Sequence, residues 1–340
     1  MTVIDVHGHV VAPQELYLFR EFLIGSRGWY GRSATGLGKA YWRQGVFPEE
    51  MLRPPAEEHI RLLDEVGTDV QLISGRPYSL MHSEKPSRIV HWYAEANNNI
   101  ISSLCTMFPN RFGGIVNLPQ AYSEPLEFSF GELDRCVNEL TGFVGVMVNP
   151  DPSEGLTTDC PGLGSEYWYP LYEKLVSYDL PLIVHSTGCN MDRESLSLHF
   201  ITEESRAVMS LVNTNVWATF PDLKVVVPHG GGCVPYQIGR FRGLYWDNQE
   251  GSFDDRVRKM WFDTSLYSEG ALPLLLEVMG ADNIVFGTER PGEGTHRKTE
   301  GGFWADDVKS QLEALPDLTA VDLQKVLEGN ARRLFTRLKV

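Results

Sequence analysis

Continuous runs of apolar residues recur along the chain, and stretches with helical periodicity separate them. These runs predict eight β-strands, at residues 3–9, 70–74, 112–118, 144–149, 182–185, 224–229, 260–264 and 284–288. Runs that are apolar at nearly every position, rather than at alternate positions, are typical of parallel strands that are covered on both faces. The pattern therefore favours one parallel sheet in the interior of the protein.

Segments between these strands carry apolar residues at the spacing of amphipathic helices. They comprise residues 55–66, 86–108, 131–140, 169–178, 203–214 and 271–279. Alternation of strand and helix is the signature of βαβ units. Eight such units in 340 residues predict a single domain over residues 1–340, an α/β fold of the (β/α)8 TIM-barrel class with an insert after the first strand.

Two long segments leave the carboxyl ends of predicted strands. Residues 10–54 follow the first strand and residues 290–304 follow the last. Long loops at that end of a barrel often border the active site, and we expect both to do so. Plain surface loops are the alternative. For residues 10–54, whose aromatic residues are Trp29, Tyr30, Tyr41 and Trp42, an oligomer contact is a further alternative.

Composition excludes several classes of function. A formal net charge of -15 argues against nucleic acid and anionic membranes as partners. No apolar run approaches the roughly 20 residues that span a bilayer, and the first residues lack the features of a secretion signal. The cysteines are scattered and read as reduced thiols, so we expect a cytoplasmic protein; they are Cys105, Cys136, Cys160, Cys189 and Cys233.

The first predicted strand contains a His-x-His pair. Side chains alternate between the two faces of a strand, so His7 and His9 project from the same face, and Gly8 adds no bulk between them. Histidine is the commonest metal ligand in proteins. The pair therefore indicates a site for a divalent cation, although two unrelated polar residues at the end of a strand remain an alternative.

Three further predicted strands also end in residues of the metal-ligand type. His185, His229 and Glu289 each stand at or just after the carboxyl end of an apolar run. The carboxyl ends of the strands carry the active site in (β/α)8 barrels. Residues of this kind at several strand ends favour an active site over chance placement in the core.

These residues carry a family resemblance. The His7-Gly8-His9 motif, His185, the run from His229 to Gly232 and Glu289 resemble the amidohydrolase superfamily, in particular its amidohydrolase-2 branch of mononuclear metal lyases and hydratases. Segments 149–153, 168–174, 228–236, 239–244 and 328–333 are similar to those of 4-oxalomesaconate hydratases. The resemblance runs through most of the chain and is weakest over residues 10–54 and 290–304.

The position after the last strand distinguishes branches of this superfamily. Most members place an aspartate there, whereas this chain has Glu289, as the resemblance to the hydratases implies. The glutamate therefore favours a hydratase over a decarboxylase. Residues 290–294 depart from the hydratase pattern and leave the exact substrate open.

The resemblance also implies a ligand set and a cofactor. His7, His9, His185 and Glu289 are the implied ligands of one Zn²⁺ ion, with Mn²⁺ as an alternative. Glu289 can bind the metal directly or move a proton. We expect His229 to be the mobile proton carrier in general acid–base catalysis; the alternatives are a fifth ligand or a hydrogen bond that only orients other groups.

The expected substrate is a small anionic polycarboxylate derived from aromatic acids, 4-oxalomesaconate above all. Candidate contacts to it are Arg76, His82, Asn149, Arg242 (or its neighbour Arg240) and Tyr267. An arginine at a strand end can bind a carboxylate through two parallel hydrogen bonds. The expected reaction is addition of water to a conjugated C=C bond.

Other functions remain open at this point. A non-oxidative metal-dependent decarboxylase of an aromatic or muconate-type acid is the main alternative, followed by a hydrolase of a lactone or amide and by a non-catalytic barrel. The resemblance further implies a homo-oligomer, a dimer or larger.

Overall fold

A computed structural model of the chain describes residues 1–27, 46–244 and 251–340 and contains eight parallel strands in one sheet. The strands pair in sequence order, each with the next. Their bounds are β1 Ile4–His9, β2 Val70–Ser74, β3 Phe112–Asn117, β4 Phe143–Val148, β5 Leu182–Val184, β6 Val225–Val227, β7 Met260–Asp263 and β8 Ile284–Val285. The aromatic residues 29, 30, 41 and 42 of the first insert lie outside the described residues.

Backbone hydrogen bonds between the last and the first strand regions close the sheet. The amide of Val6 donates to the carbonyl of Phe286 at 2.8 Å, and the amide of Glu289 donates to the carbonyl of His7 at 2.7 Å. Closure into a cylinder brings the carboxyl ends of all strands to one rim. The predicted (β/α)8 barrel is confirmed.

Helices cover the outside of this cylinder, as the periodicity predicts. In chain order the α-helices are α1 Gln14–Gly25, α2 Glu49–Glu65, α3 Ser87–Met107, α4 Phe130–Asn138, α5 Tyr169–Tyr178, α6 Leu196–Val212, α7 Val216–Thr219, α8 Ile238–Leu244, α9 Phe253–Val257, α10 Ala271–Met279, α11 Val308–Glu313, α12 Ala320–Gln324 and α13 Asn330–Leu334. A π-helical turn, Lys325–Gly329, joins the last two.

Two helices begin earlier than the sequence pattern predicts. Helix α2 starts at Glu49 rather than at residue 55, because Pro48 precedes it and its first turn is acidic, which suits a helix N-terminus. Helix α6 starts at Leu196 rather than at residue 203, because the side chain of Ser195 caps it by accepting a hydrogen bond from the amide of Leu198.

The loop after β8 is fixed by a buried ion pair. Arg290 is 1% exposed, and its guanidinium contacts the fully buried carboxylate of Asp306 at 2.6 Å. The same guanidinium donates to the carbonyl of Leu62 at 2.8 Å and contacts Glu65 of α2 at 3.0 Å. These contacts hold the start of the loop against α2, next to the strand end that carries Glu289.

We predict that Asp306→Ala destabilises the fold by about 3–5 kcal/mol, because it removes one partner of a buried ion pair and leaves the other charge uncompensated. The matched control is Glu65→Ala, which removes the partly exposed carboxylate from the same arginine and should cost less than about 1 kcal/mol. Urea unfolding followed by circular dichroism measures both. Equal losses of unfolding free energy in the two variants would show that the Arg290–Asp306 pair does not fix the loop.

Candidate active site

The imidazole rings of four histidines meet at the carboxyl ends of β1, β5 and β6. Ring centroids lie 5.1–5.2 Å apart in the pairs His7–His9, His7–His185, His7–His229, His9–His185 and His185–His229. Glu289, after β8, joins them: its Oε1 lies 3.7 Å from Nε2 of His9 and its Oε2 lies 3.8 Å from Nε2 of His229. The structure thus brings together all the predicted ligands and the predicted proton carrier.

Each of the three histidines in the implied ligand set has its Nδ1 atom bonded to a protein group. The pairs are His7 with the Asp263 carboxylate at 2.6 Å, His9 with the Ser74 hydroxyl at 2.9 Å and His185 with the Ser186 carbonyl at 2.6 Å. A hydrogen bond donated by Nδ1 fixes the orientation of the ring. It also fixes the tautomer in which Nε2 carries no proton and can bind a metal ion. The rings are therefore held in place by the protein itself.

The Nε2 atoms of His7, His9 and His185 are buried and have no hydrogen-bond partner among the described residues. A buried polar atom without a partner costs about 1–3 kcal/mol, so three of them at one point indicate a common ligand. Candidate ligand atoms in the groups His7–His185–His229 and His7–His9–Glu289 lie within 4.8 Å of one another. Imidazole nitrogens and one carboxylate are the ligands that Zn²⁺ prefers, so these residues fit one divalent cation.

The protonation of these histidines suits metal binding. Burial lowers the pKa of His9 to about 4, and burial together with the neighbouring histidines holds the pKa of His185 well below its usual value. Both rings are therefore neutral, as ligands must be. Burial also acts against the charged form of His7, but Asp263 outweighs it and raises the pKa, which makes His7 the most basic donor of the three.

His229 differs from the other three rings in its partner and its exposure. Its Nδ1 lies 2.9 Å from both carboxylate oxygens of Glu204, a fully buried residue of α6. Burial would lower the pKa of His229, but the charge of Glu204 and its hydrogen bond outweigh burial and hold the pKa well above its usual value. His229 therefore carries a proton at neutral pH, and its side chain is 11% exposed at the cavity.

Glu289 is an ionised carboxylate that receives a hydrogen bond from Tyr267. Burial disfavours its charge, but the nearby imidazoles of His229 and His9 outweigh burial and hold the pKa of Glu289 well below its usual value. The Tyr267 hydroxyl donates to Oε2 at 2.8 Å. Burial and the adjacent carboxylate keep the pKa of Tyr267 well above its usual value, so the phenol remains a donor.

A cavity of about 460 Å³ opens over this group. Its lining includes Arg76, His229, Tyr267 and Glu289 together with Leu196 and Phe200 from the start of α6 and Pro291, Gly292, Glu293, Thr295 and His296 from the loop after β8. Tyr17 of the first insert interacts with Arg76 and Tyr78 at the cavity. Both long segments thus contribute residues at or next to this cavity.

Arg76 lines the cavity, as its predicted role in binding a substrate carboxylate requires. Its guanidinium is half-buried, and Nη2 donates to the carbonyl of Pro291 at 3.0 Å. That bond orients the group, and a guanidinium has further N–H donors for a bound carboxylate. Arg76 is therefore a fixed positive charge in the lining of the cavity.

Arg242 requires a correction. Its guanidinium forms two hydrogen bonds to the carboxylate of Asp254, at 2.7 and 2.9 Å, its side chain is 44% exposed, and it is not part of the cavity lining. Helix α8 directs the side chain toward the start of α9 rather than toward the strand ends. Arg240 on the same helix is exposed as well.

Asn149 and His82 contact each other at 3.3 Å but do not line the cavity. The Asn149 amide donates to the hydroxyl of Thr187 at 2.6 Å, and the amide N–H of His82 donates to Glu154 at 3.2 Å. Both residues are buried and engaged in this polar network, so their position does not support the predicted contact with substrate.

Two buried carboxylates of the site were not predicted from the sequence. Asp263, at the end of β7, binds His7, and Glu204, in α6, binds His229. Asp263 ends an apolar run, as the predicted histidines do, so the same sequence pattern could have identified it. Glu204 offered no such signal, because an acid within an amphipathic helix normally faces solvent.

Comparisons with known proteins agree with this geometry. Residues 4–337 match the family described as Amidohydrolase. The chain is 35% identical to 2-keto-4-carboxy-3-hexenedioate hydratase of Sphingobium sp., over 99% of this chain and 97% of the relative. It superposes on the crystal structure of 4-oxalomesaconate hydratase from Rhodopseudomonas palustris with a TM-score of 0.85 and 31% identity, covering 99% of this chain and 96% of that one. It is 25% identical to 2-amino-3-carboxymuconate-6-semialdehyde decarboxylase of Dictyostelium discoideum, over 85% of this chain and 81% of the relative.

We predict that Asp263→Asn weakens Zn²⁺ binding at least 10- to 100-fold. An amide at this position can keep its oxygen toward the amides of Gly230 and Ser265. It then presents an N–H group to His7, which shifts the ring proton to Nε2 and blocks the ligand atom. Competition with a chelating dye measures the affinity. Asp254→Asn, which changes the exposed partner of Arg242, is the control, and equal affinities in the two variants would contradict the role of Asp263.

Proposed function

The chain belongs to the Amidohydrolase family, and we propose that it is a metal-dependent hydratase, a lyase that adds water to a conjugated C=C bond. Its substrate is a small oxo-polycarboxylate from aromatic acid breakdown, and 4-oxalomesaconate is the first compound to test. The similarity over almost the whole chain to two hydratases, at 35% and 31% identity, carries this proposal. Glu289 after the last strand supports it.

One divalent cation is part of this proposal. His7, His9, His185 and Glu289 would hold it, and three imidazoles with one carboxylate favour Zn²⁺, with Mn²⁺ as the alternative. When bound, such an ion supplies Lewis-acid polarisation at oxygen atoms next to the reacting carbons.

Arg76 would hold a carboxylate of the substrate. A guanidinium that is partly shielded from water binds carboxylates through charge-assisted, often paired hydrogen bonds. The cavity is large enough for a small polycarboxylate, and Arg76 and protonated His229 both line it. These two positive groups can attract an anion locally, although the chain as a whole carries a net charge of -15.

Glu289 and His229 have complementary protonation states for hydration. The ionised carboxylate of Glu289 accepts a proton from the attacking water, whose oxygen bonds to the β-carbon of the conjugated system. The protonated Nε2 of His229 then donates its proton to the α-carbon. Glu289 Oε2 and His229 Nε2 are 3.8 Å apart, so the proton gained by the carboxylate can return to the imidazole after a small movement and restore the starting state.

The location and the assembly of the protein in the cell remain predictions. None of the helices in the described ranges has the length and hydropathy needed to cross a membrane. The cysteines are unbridged in this structure, and we infer from them a cytoplasmic location. We also infer a homo-oligomer and no nucleic-acid partner.

The reaction itself is tested with the Zn²⁺-loaded protein and 4-oxalomesaconate. Hydration removes the conjugation, so ultraviolet absorbance should fall at a rate proportional to enzyme concentration, with incorporation of one water per product. The decarboxylase of Dictyostelium discoideum among the relatives makes decarboxylation the second candidate. Carbon dioxide release from a hydroxybenzoate or muconate-type acid, with no hydration, would select that reaction.

We predict that His229→Ala keeps the bound metal but lowers kcat roughly 10²- to 10⁴-fold, the usual contribution of a general acid or base. The ring has its own carboxylate partner, Glu204, and is not required for the implied ligand set. Metal content is measured by elemental analysis and turnover by absorbance. His91→Ala, which alters a half-buried histidine paired with Glu124, is the control. Near-normal turnover in the His229 variant would exclude the proton-carrier role.

We predict that Arg76→Met raises KM far more than it lowers kcat. Loss of a buried charge-assisted contact costs about 2–5 kcal/mol, and 2 kcal/mol corresponds to a roughly 30-fold rise in KM. Arg242→Met is the matched control, because Arg242 is exposed and bound to Asp254. Similar KM values for the two variants would show that Arg76 does not hold the substrate.

A further inference from the structure

A second group of side chains of the metal-ligand type lies outside the cavity of the active site. Asp151 follows β4, and His199 and Glu203 lie four residues apart on α6, so that both face the same side of the helix. All three residues are buried, with 5%, 0% and 5% exposure, and their candidate ligand atoms lie within 4.8 Å of one another. The ligand atoms of His7, His9 and Glu289 in the active site meet the same spacing.

His199 has a buried nitrogen without a partner. Its Nδ1 pairs with Oε2 of Glu194 at 2.9 Å, whereas its Nε2 is buried and has no hydrogen-bond partner among the described residues. Since Nδ1 is engaged, Nε2 is the atom available to a ligand shared with Asp151 and Glu203. This is the arrangement of the histidines in the active site, where a bond to Nδ1 also leaves Nε2 free.

Asp151 is held in a fixed orientation. Its Oδ1 accepts hydrogen bonds from the amide and hydroxyl of Ser153, at 3.0 and 2.6 Å, and from the Cys160 thiol at 2.9 Å. Its Oδ2 accepts from the amide of Gly155 at 2.7 Å. A carboxylate oxygen can accept two hydrogen bonds, so Oδ2 retains capacity for a further positive group.

The charges around the group leave an excess of negative charge. Arg206 contacts one oxygen of Glu203 at 2.6 Å, but the arginine side chain is 62% exposed, so the contact is screened by solvent. Asp151 and Glu194 add two further carboxylates near the ring of His199. Burial raises the pKa of Glu203, and the opposite effect of Arg206 does not outweigh it.

Space for an ion is present next to these carboxylates. A cavity of about 40 Å³ is lined by Asp151, Cys160, Glu203 and Arg206 among others, whereas His199 is not part of its lining. A volume of about 10–15 Å³ is already enough for one water molecule, so a small cation fits.

We propose that Asp151, His199 and Glu203 form a second divalent-cation site, separate from the active site, that binds Zn²⁺. Protein ligands bind Zn²⁺ at about 2.0–2.2 Å, so modest side-chain shifts bring these three into range. One imidazole with two carboxylates favours Zn²⁺ or Mn²⁺ over Mg²⁺, which binds oxygen ligands. The ion links the loop after β4 to α6.

This link has a consequence for the active site. Helix α6 also carries Glu204, which binds His229, and Phe200, whose ring stacks on His229 with a centroid distance of 6.2 Å. A cation bound by His199 and Glu203 on the same turns of the helix fixes the rotation of α6. The second site therefore acts as a positioning element and has no contact with substrate.

The experiment measures Zn²⁺ stoichiometry in the full-length protein after metal removal, by isothermal titration and by elemental analysis after dialysis. The wild-type protein should bind two equivalents. His199→Gln and Glu203→Gln should each bind one, His185→Ala should bind one, and the double variant His185→Ala with His199→Gln should bind none. His91→Gln, which alters a histidine outside both groups, should bind two.

Circular dichroism and gel filtration establish that each variant is folded. Glu203→Gln keeps the size of the side chain and an oxygen that can accept a hydrogen bond from Arg206. It therefore still tests the proposal if the His199 variant fails to fold. One equivalent in the wild-type protein together with none in His185→Ala would overturn the proposal, as would two equivalents in both Glu203→Gln and His199→Gln. These outcomes do not depend on the reaction that the enzyme catalyses.

Discussion

The structure depends on the convergence of imidazole nitrogens that the fold itself orients. Barrel closure places Glu289 beside β1, because the amide of Glu289 bonds to the carbonyl of His7. The Nδ1 bonds of His7, His9 and His185 then turn their Nε2 atoms toward one point. Each buried, unpartnered nitrogen destabilises the fold by about 1–3 kcal/mol. Favourable packing in the rest of the barrel must offset this cost, and binding of a cation to these nitrogens would remove it.

Neighbouring carboxylates give chemically identical rings different pKa values. His9 and His185 have hydroxyl and carbonyl partners, and burial leaves them neutral. His229 has the buried carboxylate of Glu204 and keeps its proton. The direction of the pKa shift thus differs with the group at Nδ1: the carboxylate partners of His7 and His229 raise the pKa, whereas the pKa values of His9 and His185 are lowered. It does not follow from the position of the histidines along the chain.

The sequence predicted the fold and the main strand-end residues because both depend on local patterns. Apolar runs located the strands, and residues at their carboxyl ends had to meet once the barrel closed. Contacts that depend on the rotation of a helix could not be predicted in this way. Arg242 follows His229 closely in the chain, yet α8 turns it toward Asp254, whereas Glu204 lies far from His229 in sequence and binds it. Strand register is encoded locally, but helix rotation is set by packing across the whole domain.

Three residues of the candidate site have a strained backbone, as do Met81, Glu154 and Asp179 elsewhere in the described part of the chain. His229, Tyr267 and Glu289 have φ angles of +48°, +52° and +59°, a left-handed conformation that costs a residue other than glycine about 1–2 kcal/mol. Glycine would remove this cost at each position, but it would also remove the proton carrier, the phenol donor or the carboxylate. The strain is tolerated because hydrogen bonds from the amide of Glu289 to His7 and from Tyr267 to Glu289 fix the backbone and side chains. Local preference is thus overruled at the three positions where the proposed reaction requires a side chain.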